Sequence, residues 1–418
     1  MRVYKFGGAS VKNADAVINI KEIIKSPENN LVILISAMDK TTNSLEKVWE
    51  LYINNDTINS IKELNKTILF HEEIYTKLNL KSNSIFISHF NTLVKELKSF
   101  LSAPNSKNQA YSYDQIVSYG ELFSTLIIST YLNANGIENK WLDARELIYT
   151  SSHHQEARVS WEKSKQHILS KTKNQQSIFI TQGFIGSDQN KNTTTLGREG
   201  SDYSAAIFAW ALDAKELVIW KDVPGLLNAD PKVFKETKKI EHISYKEAIE
   251  LSYYGASVIH PKTIKPLQNK GIPLTIRSFI DYTSKGSEIN NMGGKDDAVT
   301  SFIYKPNQVL ISISPKDFSF ILEDHMSELF GIFSKAGLKV HLMQNSALSF
   351  SVCAHIKSPL ISNLIDRLSE KYLVKYNEQV DLLTIRHYQN FNLPEFLAEK
   401  EILLEQRSRS TIRYVLKK

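Results

Sequence analysis

Lysine and glycine residues stand close together in the segment Lys5-Phe6-Gly7-Gly8-Ala9-Ser10. The segment follows an apolar run and precedes a helical pattern, so it predicts a turn from a strand into a helix. Glycines let backbone N–H groups approach a phosphate, a helix N-terminus favours an anion, and a lysine adds a mobile positive charge. We therefore predict a phosphate-binding turn. The structural alternative is a turn whose glycines need positive φ.

A second polar loop, residues 193–202, leads into another helical pattern. Its Arg198 predicts bidentate binding of a carboxylate or phosphate, because a guanidinium offers two parallel donors. Asp202 falls in the first turn of the predicted helix. Its structural alternative is helix capping or compensation of the helix dipole.

Two further segments combine polar residues with turn signals. Ser118-Tyr119-Gly120-Glu121 has the spacing of a capping box, which by itself explains Glu121 structurally. Lys221-Asp222-Val223-Pro224-Gly225 follows a predicted strand, and Asp230-Pro231-Lys232 comes soon after it. Turn chemistry explains the Pro-Gly and Asp-Pro pairs, but α/β sheets also bind ligands at the carboxyl ends of their strands.

Other reactive residue types do not form a recognisable site. The adjacent His153 and His154 point apart in any regular structure, so we expect a loop or surface position and no metal site. The single cysteine, Cys353, lies in an alternating strand pattern and predicts a small buried apolar residue. One cysteine excludes an internal disulfide and is typical of a reducing compartment.

Short apolar runs predict the strands that must position these residues. They occupy residues 3–6, 31–36, 177–181, 217–220 and 274–277. Near-continuous apolar strands alternating with helical patterns are typical of a parallel sheet sandwiched by helices. Residues 43–100 are polar, rich in Asn and Lys and helical in pattern, and predict a helical insertion or lid. We therefore expect an α/β fold with a mainly parallel sheet.

The composition changes over residues 286–297, which predict a linker. Strand, helix, strand, strand and helix patterns follow at the positions given next, with a further strand at 382–387. They occupy residues 308–314, 323–336, 339–343, 347–354 and 360–371. This order indicates an α+β, ferredoxin-like region.

Length and charge limit the classes of function. The 418 residues predict two to three domains. The net charge of +6 is spread over the chain without a Lys/Arg run, so we expect no nucleic-acid partner. The sequence has neither an apolar signal core nor a run that could span a bilayer, so we expect no membrane partner and a cytoplasmic location.

Taken in order, these segments resemble the aspartokinases of the amino acid kinase family. Gln182-Gly183-Phe184-Ile185-Gly186 and Tyr254-Gly255-Ala256-Ser257-Val258-Ile259-His260-Pro261 also match. The match continues more weakly to residue 354, where Leu329-Phe330-Gly331-Ile332-Phe333 resembles the helix of an ACT regulatory domain. The resemblance implies a catalytic domain over residues 1–295, a first ACT-like domain over 305–380 and a truncated or atypical second one over 381–418.

The resemblance also implies a reaction: phosphorylation by ATP of the side-chain carboxylate of L-aspartate, the first step towards lysine, threonine and methionine. In this scheme Lys5, Gly7 and Gly8 hold the transferring phosphoryl group, with Phe6 in the same turn. Asp202 orients the catalytic lysine. A carboxylate with a pKa near 4 is already ionised at neutral pH, so no general base is needed. Charge neutralisation by Lys5, backbone N–H groups and Mg²⁺ is needed instead.

The same resemblance implies the binding residues. Arg198 binds the substrate α-carboxylate, Glu121 faces its α-ammonium, and Thr42 and Ser201 add hydrogen bonds. The nucleotide pocket is lined by Lys5, Phe6, Gly7, Gly8, Lys221, Asp222, Leu227, Lys232 and Ser257. A homodimer through the ACT-like region is expected, while regulation by lysine or threonine is left open because the second ACT-like segment is short.

Several residues depart from the family pattern. Ala9 replaces a usual Thr, Glu199 a usual Gly, Lys232 a common Arg and Ser257 a frequent Lys. Two alternatives to an aspartokinase remain: an amino acid kinase with another acceptor, such as glutamate, and a non-enzymatic amino-acid sensor derived from a kinase.

Overall fold

The computed structural model describes residues 1–24, 30–105, 108–173, 177–256, 259–291, 296–317, 319–357, 360–390 and 400–417. The chain forms two compact units. The first comprises Met1–Leu226, Glu241–Ile249 and Ile259–Gly294, and the second comprises Leu227–Ile240, Glu250–Val258 and Lys295–Lys418. The domain boundaries expected from the sequence stay predictions.

An eight-stranded sheet forms the centre of the first unit. Its spatial order is β10 (His242–Ser244), β12 (Ser287–Asn290), β11 (Leu274–Ser278), β7 (Leu217–Lys221), β1 (Arg2–Phe6), β2 (Leu31–Ile35), β4 (Ile178–Gln182) and β3 (Asn139–Leu142). Neighbouring strands run parallel except β11 and β12, which are antiparallel. All five strands predicted from apolar runs lie in this sheet, so the predicted α/β fold class is confirmed.

Burial explains the apolar runs. Every residue of β2 is buried, as expected for a central strand covered on both faces.

Ten α-helices among the described residues precede the second sheet in the chain. They are α1 (Ala14–Ile24), α2 (Thr41–Ile53), α3 (Thr57–Lys77), α4 (Ser84–Ser102), α5 (Gln109–Val117), α6 (Tyr119–Ala134), α7 (Trp161–Thr172), α8 (Gly200–Ala211), α9 (Tyr245–Tyr254) and α10 (Pro261–Lys270). Helix α6 packs on β2, β3 and β4, and α8 packs on β1, β2 and β7. A short hairpin, β5 (Ile185–Ser187) with β6 (Thr193–Thr195), lies before α8.

Helices α2, α3 and α4 account for the helical pattern of residues 43–100, while an insertion or lid at this position stays a prediction. Side-chain caps set two of their starts: Asp56 accepts from Asn59 N–H, and Asn83 accepts from Phe86 N–H. Their apolar faces join those of α5 and α6 in one core. His71 of α3 lies fully inside this core, beside the ring of Phe123 at 5.4 Å between centroids.

A six-stranded antiparallel sheet forms the second unit. Its spatial order is β14 (Lys339–Asn345), β15 (Phe350–His355), β13 (Ser301–Pro315), β16 (Tyr372–Arg386), β18 (Thr411–Leu416) and β17 (Ile402–Arg407). Helices α11 (Glu323–Lys335) and α12 (Ile361–Ser369) share an apolar core with the sheet. Strands β13 to β16 with these helices have the predicted ferredoxin-like order. The strand predicted at 382–387 is the second half of β16, and β17 and β18 extend the same sheet beyond it.

Two short strands, β8 (Leu226–Leu227) and β9 (Lys239–Ile240), pair outside the main sheets. Within the described ranges, every helix is too short or too polar to cross a lipid bilayer.

The buried His71 predicts a specific loss of stability in acid. Burial lowers its pKa from 6.5 to about 4, against the opposing hydrogen bond to the Thr67 carbonyl. Between these values the unfolded chain binds the proton and the folded chain does not, so stability is lost as pH falls from 6.5 to 4, by up to about 3 kcal/mol. We expect His71→Leu to flatten the fall in Tm over this pH range, measured by thermal unfolding. The exposed His153→Leu is the control, and a wild-type slope in the His71 variant contradicts the prediction.

Candidate active site

The carboxyl ends of four parallel strands meet at one edge of the first sheet. Phe6 at the end of β1 pairs with Ile35 of β2 and Trp220 of β7, and Ile35 pairs with Gln182 of β4. Segments that follow β1, β2 and β4, residues 155–156 and the loop before α8, with parts of α2, α5, α6 and α8, enclose a cleft of about 630 Å³. The cleft is lined by seven of the residues predicted from the sequence: Lys5, Gly8, Thr42, Glu121, Arg198, Ser201 and Asp202.

A buried ion pair lies in the cleft. Lys5 Nζ, at the end of β1, is 2.6 Å from Asp202 Oδ1 in the first turn of α8, and both side chains are at most one-tenth exposed. Burial by itself raises the pKa of Asp202, but the charges of Lys5 and Lys221 and the hydrogen bond from Lys5 outweigh it and hold the pKa below its usual value. Asp202 is therefore ionised and fixes the position of the Lys5 ammonium. Capping alone does not explain Asp202.

The turn after β1 needs a glycine at position 8 for close approach. Neither Gly7 nor Gly8 has a positive φ, so the structural alternative considered from the sequence is wrong. A Cβ on Gly8 would lie 3.0 Å from the carbonyl oxygens of both Ala37 and Asp39. The ring of Phe6 is fully buried and stacks on Trp220, which leaves only the Phe6 backbone at the turn.

Glu121 does not complete a capping box, which corrects the structural explanation from its spacing. Ser118 has φ −57° and makes no side-chain cap, and α5 ends directly before it. The Glu121 carboxylate turns to the loop after β2, where Ala37 N–H donates to Oε1 over 3.1 Å. A Cβ on Gly120 would lie 2.9 Å from the Ala37 side chain, so the glycine permits this approach. The local signal of a capping box was overridden by this tertiary contact.

The Glu121 carboxylate has one oxygen atom available to a cation. Its Oε2 atom is buried and has no hydrogen-bond partner among the described residues. Burial raises the pKa of Glu121 to about 8, although the hydrogen bond from Ala37 and the charge of Lys5 oppose the shift. A bound ammonium group would supply the missing partner and restore the ionised form.

The loop before α8 presents Arg198 to the cleft. Arg198 is exposed and, among the described residues, has no ion-pair partner, so its guanidinium is available to an anion. Glu199, which departs from the family glycine, has φ +54°, a conformation that favours glycine. Its Oε2 atom accepts from His260 N–H over 3.0 Å, so the carboxylate has a hydrogen-bond donor of its own.

The residues predicted for the nucleotide pocket are divided between the two units. Lys221 and Asp222 end β7 and begin the next turn in the first unit, whereas Leu227 and Lys232 belong to the second unit. Asp230 accepts from Lys232 N–H over 2.9 Å, as its turn chemistry predicted. Ser257 lies outside the described residues.

Several cleft residues were not identified from the sequence. They are Ser36, Ala37, Asp39, Trp49, Tyr113, Gln155, Glu156 and Phe184. His154, which the sequence placed in a loop or at the surface, has a side chain only 6% exposed and an ion-pair distance of 2.7 Å to Asp114. No local signal in the sequence marks the cleft residues or His154, because the segments that carry them lie far apart in the chain and meet only in the fold. Phe184 is the exception, since it lies in the matching segment 182–186.

The cleft offers few ligands of its own to a metal ion. Among the described residues, no group of three or more His, Cys, Asp or Glu side chains could hold one. The cleft carboxylate nearest to Lys5 is already paired with it. This donor set suits Mg²⁺ carried on phosphate oxygens, which characteristically uses one or two protein carboxylates and retains several waters.

The chain is similar in sequence to known amino acid kinases. A model of the Amino acid kinase family matches residues 1–278. The chain is 30% identical over 387 residues to bifunctional aspartokinase/homoserine dehydrogenase 2 of Arabidopsis thaliana, covering 88% of this chain and 42% of that protein. It is 29% identical to lysine-sensitive aspartokinase 3 of Escherichia coli (strain K12), covering 84% of this chain and 77% of that protein.

Solved structures show the same likeness. E. coli aspartokinase III in complex with lysine and aspartate has a TM-score of 0.82 and 26% identity, covering 99% of this chain and 95% of that one. The complex with aspartate and ADP has a TM-score of 0.80. The model of the amino acid kinase family matches about two thirds of the length of this chain, and the chain therefore belongs to that family.

Proposed function

We propose that this protein transfers the γ-phosphoryl group of ATP to the side-chain carboxylate of L-aspartate, forming 4-phospho-L-aspartate. The observation that carries the proposal is the single cleft in which the Lys5–Asp202 pair lies with Glu121 and Arg198. Likeness to aspartokinases over 84–88% of the chain supports the same activity. The chain spans less than half of the plant bifunctional enzyme, and the proposal concerns only its kinase reaction.

Each residue of the cleft is assigned to a group of the substrate by its charge. Arg198 binds the α-carboxylate, Glu121 binds the α-ammonium, and Thr42 and Ser201 contribute hydroxyl groups. Held at both α-groups, the substrate presents its side-chain carboxylate to the turn at Gly7 and Gly8. That carboxylate is already ionised, so positioning and neutralisation dominate the barrier.

Lys5 is the group that neutralises the transferring phosphoryl oxygens, together with N–H groups of the Gly7–Gly8 turn. Asp202 keeps the lysine at the end of β1 and is not a proton acceptor, since its pKa is held low. Mg²⁺ would supply further positive charge on the nucleotide phosphates when bound. Lys221, Asp222, Leu227, Lys232 and Ser257 stay predictions for the nucleotide pocket.

Glutamate as acceptor and a non-enzymatic sensor are the alternatives. The retained Lys5–Asp202 pair disfavours a sensor, because a protein that only binds an amino acid has no need of a buried lysine beside a phosphate-binding turn. A homodimer through the ACT-like region and an effector such as lysine or threonine complete the proposal. A coupled assay with each amino acid added separately tests the effector.

Removing the Lys5 charge is expected to abolish most of the turnover. Lys5→Ala deletes a cation aimed at the developing phosphoryl charge, so we expect kcat to fall about 100- to 1,000-fold or more. The measurement is ADP release with aspartate and glutamate side by side. Lys12→Ala, at an exposed lysine nearby, is the control. A preference for glutamate overturns the acceptor, unchanged turnover in Lys5→Ala overturns the mechanism, and an inactive wild type favours the sensor.

Substrate binding is expected to release a proton. With a pKa of about 8, Glu121 is largely protonated at pH 7 in the free protein and becomes ionised when the α-ammonium binds. Affinity for aspartate should therefore rise with pH up to about 8, by at most about tenfold per pH unit. Calorimetry at pH 7 in two buffers of different ionisation enthalpy measures the released proton directly.

Two variants control this measurement. Glu121→Gln should bind aspartate more weakly and without proton release, whereas Glu162→Gln, at an exposed position of α7, should retain the release. Binding by the wild-type protein with no proton exchange at pH 7 would show that Glu121 is already ionised before the substrate arrives.

A further inference from the structure

Asp114 is a buried carboxylate in the first unit that the proposed reaction does not use. It lies in α5 and its side chain is fully buried. Burying a carboxylate is costly unless hydrogen bonds compensate it, so the position demands an explanation. Burial raises the pKa of Asp114, and the hydrogen bonds that it accepts oppose the shift.

Those hydrogen bonds come from two separate segments. His154 Nδ1 donates to Asp114 Oδ2 over 2.7 Å, and Gln155 N–H lies 3.1 Å from both carboxylate oxygens. From β6, Thr195 Oγ1 donates to Oδ1 over 2.6 Å. The neighbouring Gln115 Nε2 also reaches β6, donating to the Thr193 carbonyl over 2.8 Å.

The two segments so joined carry one wall of the cleft. Gln155 and Glu156 line it from the first segment, and Arg198 lines it three residues after Thr195. Ala157 N–H donates to the Thr195 carbonyl over 2.9 Å, which ties the segments to each other as well. Gln155 has φ +67°, a conformation that is unfavourable for a residue with a side chain and persists only when its surroundings hold it.

We infer that Asp114 and His154 are positioning residues for the Arg198 loop: by holding the Gln155 peptide and Thr195 together, they set where the guanidinium meets the substrate α-carboxylate. This inference rests on the proposed function for its substrate. A carboxylate suits the role because all of its contacts are donors. An amide at position 114 would place its own N–H₂ donors against at least one of them.

The chain contains a matched control. Asp188, at the other end of the β5–β6 hairpin, is also buried and accepts from Ser152 Oγ and from the N–H groups of Asn190 and Asn192, each over 2.9 Å. It is not among the residues that line the cleft. Asp114→Asn disturbs the bonds to Gln155, which lines the cleft, and to Thr195, whereas Asp188→Asn disturbs bonds to Ser152, Asn190 and Asn192, none of which lines the cleft.

The test compares kinetics of the full chain. We expect Asp114→Asn to raise KM for aspartate about tenfold or more, with KM for ATP unchanged within about twofold and a smaller change in kcat, because Arg198 is misplaced while the Lys5 end of the cleft is intact. Asp188→Asn should retain the wild-type KM for aspartate. An unchanged KM for aspartate in Asp114→Asn, with an active wild type, overturns the inference and leaves the proposed function standing.

His154 provides variants that keep the buried carboxylate if Asp114→Asn fails to fold. His154→Ala removes the Nδ1 donor and should raise KM for aspartate, and His154→Asn, whose amide can donate in its place, should recover most of the loss. His153→Ala, at the adjacent exposed residue, should have no effect. Equal values for His154→Ala and His154→Asn contradict a role through the hydrogen bond.

Hydrogen exchange separates this inference from the proposed function. In the unliganded protein, loss of the Asp114 contacts should speed amide exchange over residues 154–157 and 195–199, with or without activity towards aspartate. If the wild type does not phosphorylate aspartate, the proposed function fails while faster exchange still supports the positioning role. Unchanged exchange in these segments of Asp114→Asn overturns the positioning role in either case.

Discussion

The ion pair between Lys5 and Asp202 is the interaction on which the site depends. A lysine and an aspartate that are both buried must compensate each other, because either charge alone would be expensive to remove from water. Lys5 lies near the end of the central strand β1, and Asp202 lies in the first turn of the helix that packs on β1, β2 and β7. The pair therefore fixes helix α8, and with it the Arg198 loop, against the edge of the sheet where phosphate is expected to bind.

Two other charged groups of the cleft lack partners that would neutralise them among the described residues. Glu121 has one satisfied oxygen and one buried oxygen with no partner among the described residues, and Arg198 is open to the cleft. A free amino acid carries the opposite charge at each of these places. Substrate binding would thus complete the electrostatics of the cleft, which makes the arrangement costly when empty and selective for a molecule with both α-groups.

Much of this could be predicted from the sequence, and the failures have a common cause. The strands followed from apolar runs, because a parallel sheet buries both faces. Lys5, Glu121, Arg198 and Asp202 followed from segments whose order resembles a family. The capping box at Ser118–Glu121 failed because a local pattern cannot show that Ala37, 84 residues away, offers a better donor. Asp114 and His154 gave no signal, because their partners lie in segments that meet only in the fold.

Three buried carboxylates in one unit differ in environment, and the roles proposed for them follow from environment and not from residue type. Asp202 has a lysine beside it and a lowered pKa, so it is a permanent anion that holds a cation in place. Asp114 accepts hydrogen bonds from His154, Gln155 and Thr195, a set of fixed donors that suits a structural joint. Glu121 accepts from Ala37 N–H, leaves Oε2 without a partner among the described residues and has a pKa raised to about 8, which suits a group that changes its charge when a ligand arrives. The number and charge of the partners around each carboxylate thus match the roles proposed for them: organising the catalytic lysine, positioning a loop and recognising the substrate.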